Sequence, residues 1–280
     1  MTDPTTAPAD RPPGRPRVRL ELTGSQETLL IALYSKALDY RSARSILHDR
    51  KADEIARSLD YDFDRIGHVA PGSLLAARSK QLDDWVLEFL DTNPNAIVLN
   101  VGCGLDTRYF RLQPSPALPW IDLDVPSVID LRHRFFEEKG GYRMVGASLT
   151  DPDWLEQLPK DRAVVVVADG VLEYLSRNEV AELFRRIVGH FPRGQLVFDV
   201  MNSTALRQGN PSLRARTGAE LRWAVDDLSE VDGIDPRLHR VSVIPLFGSR
   251  YLPWQYRFVG ALARLVPSTR NMIRLLRYEF

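Results

Sequence analysis

Two glycines, Gly102 and Gly104, stand at the end of a short apolar run, with the acids Asp122 and Asp124 close to where a second run ends. The segment reads Ile97–Val101, then Gly102-Cys103-Gly104-Leu105-Asp106-Thr107. Glycines there let the backbone turn tightly and meet a ligand with no side chain between them. The acids fall close to the ~20-residue distance at which nucleotide-binding folds place a carboxylate on a ribose. A carboxylate accepts hydrogen bonds from both sugar hydroxyls, and its charge strengthens each. Asp122 and Asp124 share a strand face, so Asp124 is expected to bind and Asp122 to support it. A glycine pair alone is weak evidence, because glycine ends many strands for structural reasons; the acids give it meaning.

A further acid, Asp169, follows the fourth apolar run in Ala168-Asp169-Gly170-Val171-Leu172-Glu173-Tyr174. It can hold an ammonium group, or cap a helix. Glu173 and Tyr174, one turn on, are expected with Tyr34 to line the substrate's side. Arg78 lies four residues from both Leu74 and Leu82, on the apolar stripe of a helix. A charge there is costly unless paired, and a guanidinium grips a carboxylate at two points. That partner is either the carboxylate of a ligand or a protein acid.

These groups fit one cofactor better than another. A dinucleotide sets its pyrophosphate against the N-terminus of the following helix. Here Thr107 replaces the third fingerprint glycine, and Asp106 adds negative charge where phosphates would lie. S-adenosylmethionine has no phosphate and carries a sulfonium and an ammonium, so it suits the turn better than NAD.

The elements that must position these residues read as two regions. From residue 23 to about 61, and again over 73–90, apolar residues recur at helical spacing. This stretch is expected to form a helical lid over residues 20–92. Short apolar runs at 97–101, 120–123, 144–147, 163–168 and 196–201 then alternate with helical segments at 128–136 and 176–191. The run 163–168 is apolar on both faces, as in a parallel strand covered by helices on both sides. Ser176 and Glu179 make a capping box, and Pro192 and Gly194 end that helix. The alternation predicts an α/β fold: a Rossmann-like, doubly wound, mostly parallel seven-stranded sheet over 93–280 with substrate-side elements at its C-terminal end. Ligands in such sheets sit at the carboxyl ends of the strands. A strand at 240–246, a helix at 254–265 and a last strand at 273–280 complete the reading.

Composition narrows the function. Lys plus Arg and Asp plus Glu both total 37, for a net charge of zero, which argues against a dominant nucleic-acid footprint. No apolar run approaches the ~20 residues that span a membrane. Residues 1–19 lack an apolar leader core and are expected to be a disordered arm. Cys103 is the single cysteine; no Cys and His cluster has metal-ligand spacing, and a reducing, cytoplasmic setting fits. The expected partner is a small molecule, not nucleic acid or membrane, with a homo-oligomer allowed. No residue is assigned as catalytic base: Tyr34, Tyr174 and His133 have the chemistry, but nothing places them at a nucleophile.

The motifs together resemble the leucine carboxyl methyltransferase family, and within it the bacterial tetracenomycin-type polyketide O-methyltransferases. The matching stretches are 23–40 (TGSQETLLIALYSKALDY), 75–86 (LAARSKQLDDWV), 98–112 (VLNVGCGLDTRYFRL), 120–136 (WIDLDVPSVIDLRHRFF) and 167–175 (VADGVLEYL). The resemblance implies an S-adenosylmethionine-dependent O-methyltransferase acting on a hydroxyl or carboxyl oxygen of a specialised metabolite. It places the cofactor arginine on Arg78, the glycine turn on Gly102 and Gly104, and the ribose acid on Asp124. The acid after the fourth strand, usually Glu, becomes Asp169, one methylene shorter. The Asp-Leu pair at the adenine becomes Ser148-Leu149. The family's cofactor-contacting lysine has no clear counterpart, since neither Glu27 nor Lys36 aligns. A nicotinamide oxidoreductase and a catalytically silent cofactor-binding module are the competing classes.

Overall fold

The structure is a computed structural model that describes residues 18–19, 27–65, 72–263, 266, 269 and 271–280. Most of the expected N-terminal arm and residues 20–26 of the expected lid therefore lie outside the described residues. A two-residue bridge, β1 (Val18–Arg19), pairs in parallel with β2 (Leu59–Asp60). Three helices precede the main sheet: α1 (Thr28–Arg41), α2 (Arg50–Ser58) and α3 (Gly72–Thr92).

The alternating part follows as β3 (Ile97–Val101), α4 (Arg108–Leu112), β4 (Trp120–Asp124), α5 (Pro126–Arg132) and β5 (Tyr142–Gly146). It continues with α6 (Asp153–Glu156), β6 (Val164–Ala168), α7 (Arg177–His190), β7 (Gly194–Met201), α8 (Ser203–Thr217) and α9 (Ser229–Asp232). The chain ends with β8 (His239–Pro245), α10 (Trp254–Ala263) and β9 (Ile273–Glu279). One seven-stranded sheet runs β5-β4-β3-β6-β7-β9-β8, parallel up to β7, with β9 antiparallel to both of its neighbours.

Period-two alternation sorts the sheet's side chains into two apolar layers. Val98, Val165, Val167 and Val197 join the helices α1, α2 and α3 on one face. Ile97, Leu99, Val164 and Val166 pack with α7 on the other. Leu82 and Val86 of α3 are fully buried, and each such side chain contributes roughly 1.5–3 kcal/mol. The small Ala76 and Ala77 lie beside them, also fully buried, so α3 passes close over β6 and β7 and carries Arg78 with it. Helix α7 starts at the capping box of Ser176 and Glu179.

Several boundaries differ from the sequence reading. β5 begins at Tyr142 rather than 144, because the Tyr142 hydroxyl is satisfied inside the fold by Asp122 and Arg132. α5 starts with a proline in its first turn and stops at Arg132, short of the expected 136. Chain order reverses about β3: β4 and β5 extend the sheet on one side, and β6 opens the other. The crevice between β3 and β6 is thus a topological switch point, where open α/β sheets bind ligands.

Candidate active site

A cavity of about 470 Å³ opens at this crevice, with walls from the glycine turn, the end of β6, α1, α3 and α8. Gly102 and Gly104 both take positive φ, +60° and +50°. A Cβ on Gly102 would lie 2.2 Å from Val171 Cγ2, so no other residue fits that bend. The turn is held from behind. Arg132, fully buried, donates to the carbonyl oxygens of Gly104 at 2.8 Å and Asp106 at 2.9 Å. Its guanidinium also bonds the Asp122 carboxylate.

Asp122 therefore does not reach the cavity. It is 1% exposed and accepts from Trp120 Nε1 and Asn100 Nδ2, each at 3.0 Å, and from Tyr142 Oη at 2.6 Å. Its expected place among the cofactor contacts is corrected to that of a buried anchor for Arg132, the supporting role that strand alternation allowed. Asp124, on the same strand face, does stand in the cavity wall. It accepts from the Gly104 amide at 2.7 Å. Burial pushes its carboxyl above the usual range, against the pull of the Gly104 and Val125 amides.

The floor is a network of buried charges. Asp106 accepts from Lys36 Nζ at 2.7 Å, Arg108 Nη1 at 2.7 Å and Arg111 Nη1 at 2.8 Å. Burial raises its carboxyl, but these three cations outweigh burial and hold it well below the ordinary carboxylate range. The expectation that bare negative charge sits at the turn is thereby corrected: Asp106 lines the cavity already neutralised. Asp83 bridges Arg108 and Arg111 on the far side. Lys36 is the residue that the sequence reading left unplaced. It is 4% exposed, lines the cavity and lies 4.0 Å from Asp169. Its signal was faint: one lysine in a helix whose contacts lie 70 residues away.

Arg78 reaches the same wall. Its Nε lies 2.7 Å from Asp169 Oδ1, and its Nη1 donates to Asp199 Oδ2 at 3.0 Å. Of the two partners allowed by sequence, protein acids are the ones in contact. Asp199, missed earlier, also accepts from the Gly170 amide at 2.7 Å; its signal was a single charge inside the apolar run of β7. Asp169 accepts from Ser79 Oγ at 2.7 Å and Arg108 Nη2 at 2.9 Å. Burial raises Asp169, yet Arg78, Lys36 and Arg108 together hold it below its usual value.

This wall is incompletely paired. Arg78 Nε and Asp169 Oδ1 are close but misaligned, and each is buried with no hydrogen-bond partner among the described residues; so is Glu173 Oε2. Buried polar atoms left this way cost ~1–3 kcal/mol each. A donor beside an acceptor suits the carboxylate and ammonium of an amino acid.

The other expected contacts divide. Ser148, Leu149, Glu173 and Tyr174 all line the cavity. Tyr34 does not: it stacks on Phe63 with ring centroids 4.3 Å apart, on the side of α1 turned away from the cavity wall. His133 bonds back to the Ile129 carbonyl at 2.9 Å and lies outside the wall. Among the described residues no group of His, Cys, Asp and Glu is arranged to hold a metal ion, and no helix is long and apolar enough to cross a membrane.

A mostly parallel sheet with an antiparallel β9, and at its switch point a glycine bend, Asp124 and a buried set of ion pairs in one cavity wall, fit a transferase that uses a nucleoside cofactor. Comparison with known proteins makes this specific: residues 30–188 match the leucine carboxyl methyltransferase family, and the chain belongs to it. It is 40% identical over 268 residues to the tetracenomycin polyketide synthesis O-methyltransferase TcmP of Streptomyces glaucescens, covering 93% of this chain and 98% of that one. It is 34% identical to the S-adenosyl-L-methionine-dependent methyltransferase dpfgK of Gibberella zeae, covering 79% and 82%. A solved structure from Thermobifida fusca, described as a candidate methyltransferase, shares the fold with a TM-score of 0.59 at 15% identity, covering 89% and 93%. The chain is an S-adenosylmethionine-dependent methyltransferase.

Proposed function

We propose that the protein transfers a methyl group from S-adenosylmethionine to a hydroxyl or carboxyl oxygen of a small, polyketide-like metabolite. The observation that carries the reading is the juxtaposition, in one cavity wall, of the side-chain-free bend at Gly102 and Gly104 with the buried Arg78–Asp169 ion pair. Arg78 would hold the methionine carboxylate, Asp169 the ammonium, Asp124 the ribose hydroxyls, and Ser148 and Leu149 the adenine. The cofactor supplies an electrophilic methyl carbon on a sulfonium leaving group.

The protein's own part is positioning, which can supply ~7–11 kcal/mol in favourable cases. Lys36, Arg108 and Arg111 fix the floor, so the wall does not rearrange as the ligand enters. Leu213 and Leu221, beside the far end of the cavity, offer apolar surface for the acceptor's body. The helices within 20–92 act as the lid, since Thr28, Leu29 and Ile31 of α1 face the cavity. The polyketide assignment follows the relative from Streptomyces glaucescens, whose covered length is nearly complete. Incubation with S-adenosylmethionine labelled in the methyl group and a panel of aromatic polyketides bearing phenol or carboxylic acid groups tests it. Label in an ether or ester supports the reading; label only on peptide C-termini overturns it.

A further inference from the structure

Glu173 is the one acid of the cavity wall that the binding reading leaves without a task. An amino-acid group needs one cation and one acid, and Arg78 and Asp169 supply them. Glu173 lies one turn further on, in the short helical turn Leu172–Tyr174. Its carbonyl oxygen accepts from the Arg222 amide at 2.6 Å and the Trp223 amide at 3.2 Å, in the segment that follows α8. That contact ties the charged end of β6 to the apolar wall of Leu213, Leu221 and Met201. The side chain thus stands where the charged wall meets the apolar one. It is 6% exposed, and Oε2 has no hydrogen-bond partner among the described residues.

The counter-charge that acts on it, Arg78, is already engaged by two other acids. Arg78, on α3, directs Nε at Asp169 and Nη1 at Asp199. Asp199 on β7 and Asp169 at the end of β6 face Glu173 as like charges, and Tyr174 adjoins it on its own turn. We propose that Glu173 carries a proton and donates it in a hydrogen bond to an anionic oxygen of the acceptor, holding that oxygen at the join of the two walls. This deepens the methyl-transfer reading and rests on it. Burial first, then Asp199, pushes the Glu173 carboxyl up to about 8, with Arg78 opposing. At neutral pH the group is therefore a donor and not a base. An ionised glutamate would repel a carboxylate or phenolate; a neutral one receives it, and a charge-assisted bond of this kind is stronger than a neutral one. No bond to this proton breaks in the transfer itself. The acceptor's oxygen lone pair forms the new C–O bond, the S–C bond electrons leave on sulfur, and Glu173 keeps its proton.

The test uses the full chain saturated with S-adenosylhomocysteine, with benzoate and pentafluorophenolate as anionic probes from about pH 6 to about pH 10. In wild type, affinity for at least one probe falls about tenfold per pH unit above the titration of Glu173. The two probes distinguish a carboxylate from a phenolate acceptor. Glu173→Gln, whose amide still donates, keeps the affinity and loses the pH dependence; Glu173→Ala loses about tenfold or more at neutral pH. Infrared spectra of the ligand-free protein show a protonated carboxyl band that disappears near pH 8 and is missing from Glu173→Gln. A general-base role would instead give rates that rise with pH and a Gln variant as impaired as Ala. That result, pH-independent or absent probe binding, or no titrating band, overturns the proposal. If S-adenosylhomocysteine itself fails to bind, the methyl-transfer reading falls instead, and the infrared band still decides the state of Glu173.

Discussion

Replacing Arg132 with Met separates the support of the glycine bend from the bend itself. Arg132 is fully buried, and its principal partner Asp122 is 1% exposed. Removing one member of a buried pair leaves the other charge stranded, at a cost of ~3–5 kcal/mol. Asp122 keeps three neutral donors, Trp120 Nε1, Asn100 Nδ2 and Tyr142 Oη, each contributing about 1 kcal/mol. The expected loss is therefore near the lower limit, about 3 kcal/mol of unfolding free energy in urea. Arg132→Met with Asp122→Asn removes the stranded charge and should recover more than half of that loss. Recovery should not extend to the cofactor, because the carbonyls of Gly104 and Asp106 remain unclamped. Calorimetry should find S-adenosylmethionine binding at least about tenfold weaker in both variants. A single variant that loses under about 1 kcal/mol, or a double variant that binds like wild type, refutes the view that Asp122 acts through Arg132.

Other outcomes follow from individual contacts. Gly170→Ala should cost ~2 kcal/mol or more in denaturant melts, since φ is +73° and the new Cβ would lie 2.5 Å from Arg78 Nη2. Lys36→Met takes one of three cations from Asp106. It should lower stability by ~1–3 kcal/mol and weaken S-adenosylmethionine binding, whereas Tyr34→Phe should leave that binding unchanged. Glu173 binds a proton in the folded state between its ordinary 4.5 and about 8, where the unfolded chain has released it. Stability should accordingly fall as pH rises through this window, and Glu173→Gln should flatten the slope.

The sequence made the sheet legible where both faces of a strand are apolar. Ile97–Val101 and Val164–Ala168 are buried along their whole length, so no periodicity could mislead. Gly102 and Gly104 were legible as one local turn, and Asp124, 20 residues on, because the paired parallel strands β3 and β4 end side by side. What stayed hidden depends on contacts distant in sequence. Arg78 meets Asp199 across 121 residues and Lys36 meets Asp106 across 70; periodicity marks such residues as oddly placed but cannot choose their partners. Asp122 and Asp124 share a face, yet one is sealed by Arg132 and Tyr142 and the other opens on the cavity. Only the packing of α5 and β5 separates them. Tyr34 was misplaced for the same reason, because its helix turns that side toward Phe63.

The central claim is that Asp124, Arg78 and the glycine bend hold one S-adenosylmethionine. The most direct measurement is titration calorimetry of the wild type and Asp124→Ala with S-adenosylmethionine and with NADH. The account expects one cofactor bound per chain, no NADH binding, and a loss of ~2–4 kcal/mol in Asp124→Ala, as two charge-assisted hydrogen bonds to a ribose disappear. Undiminished binding in Asp124→Ala, or binding of NADH in place of S-adenosylmethionine, would contradict it.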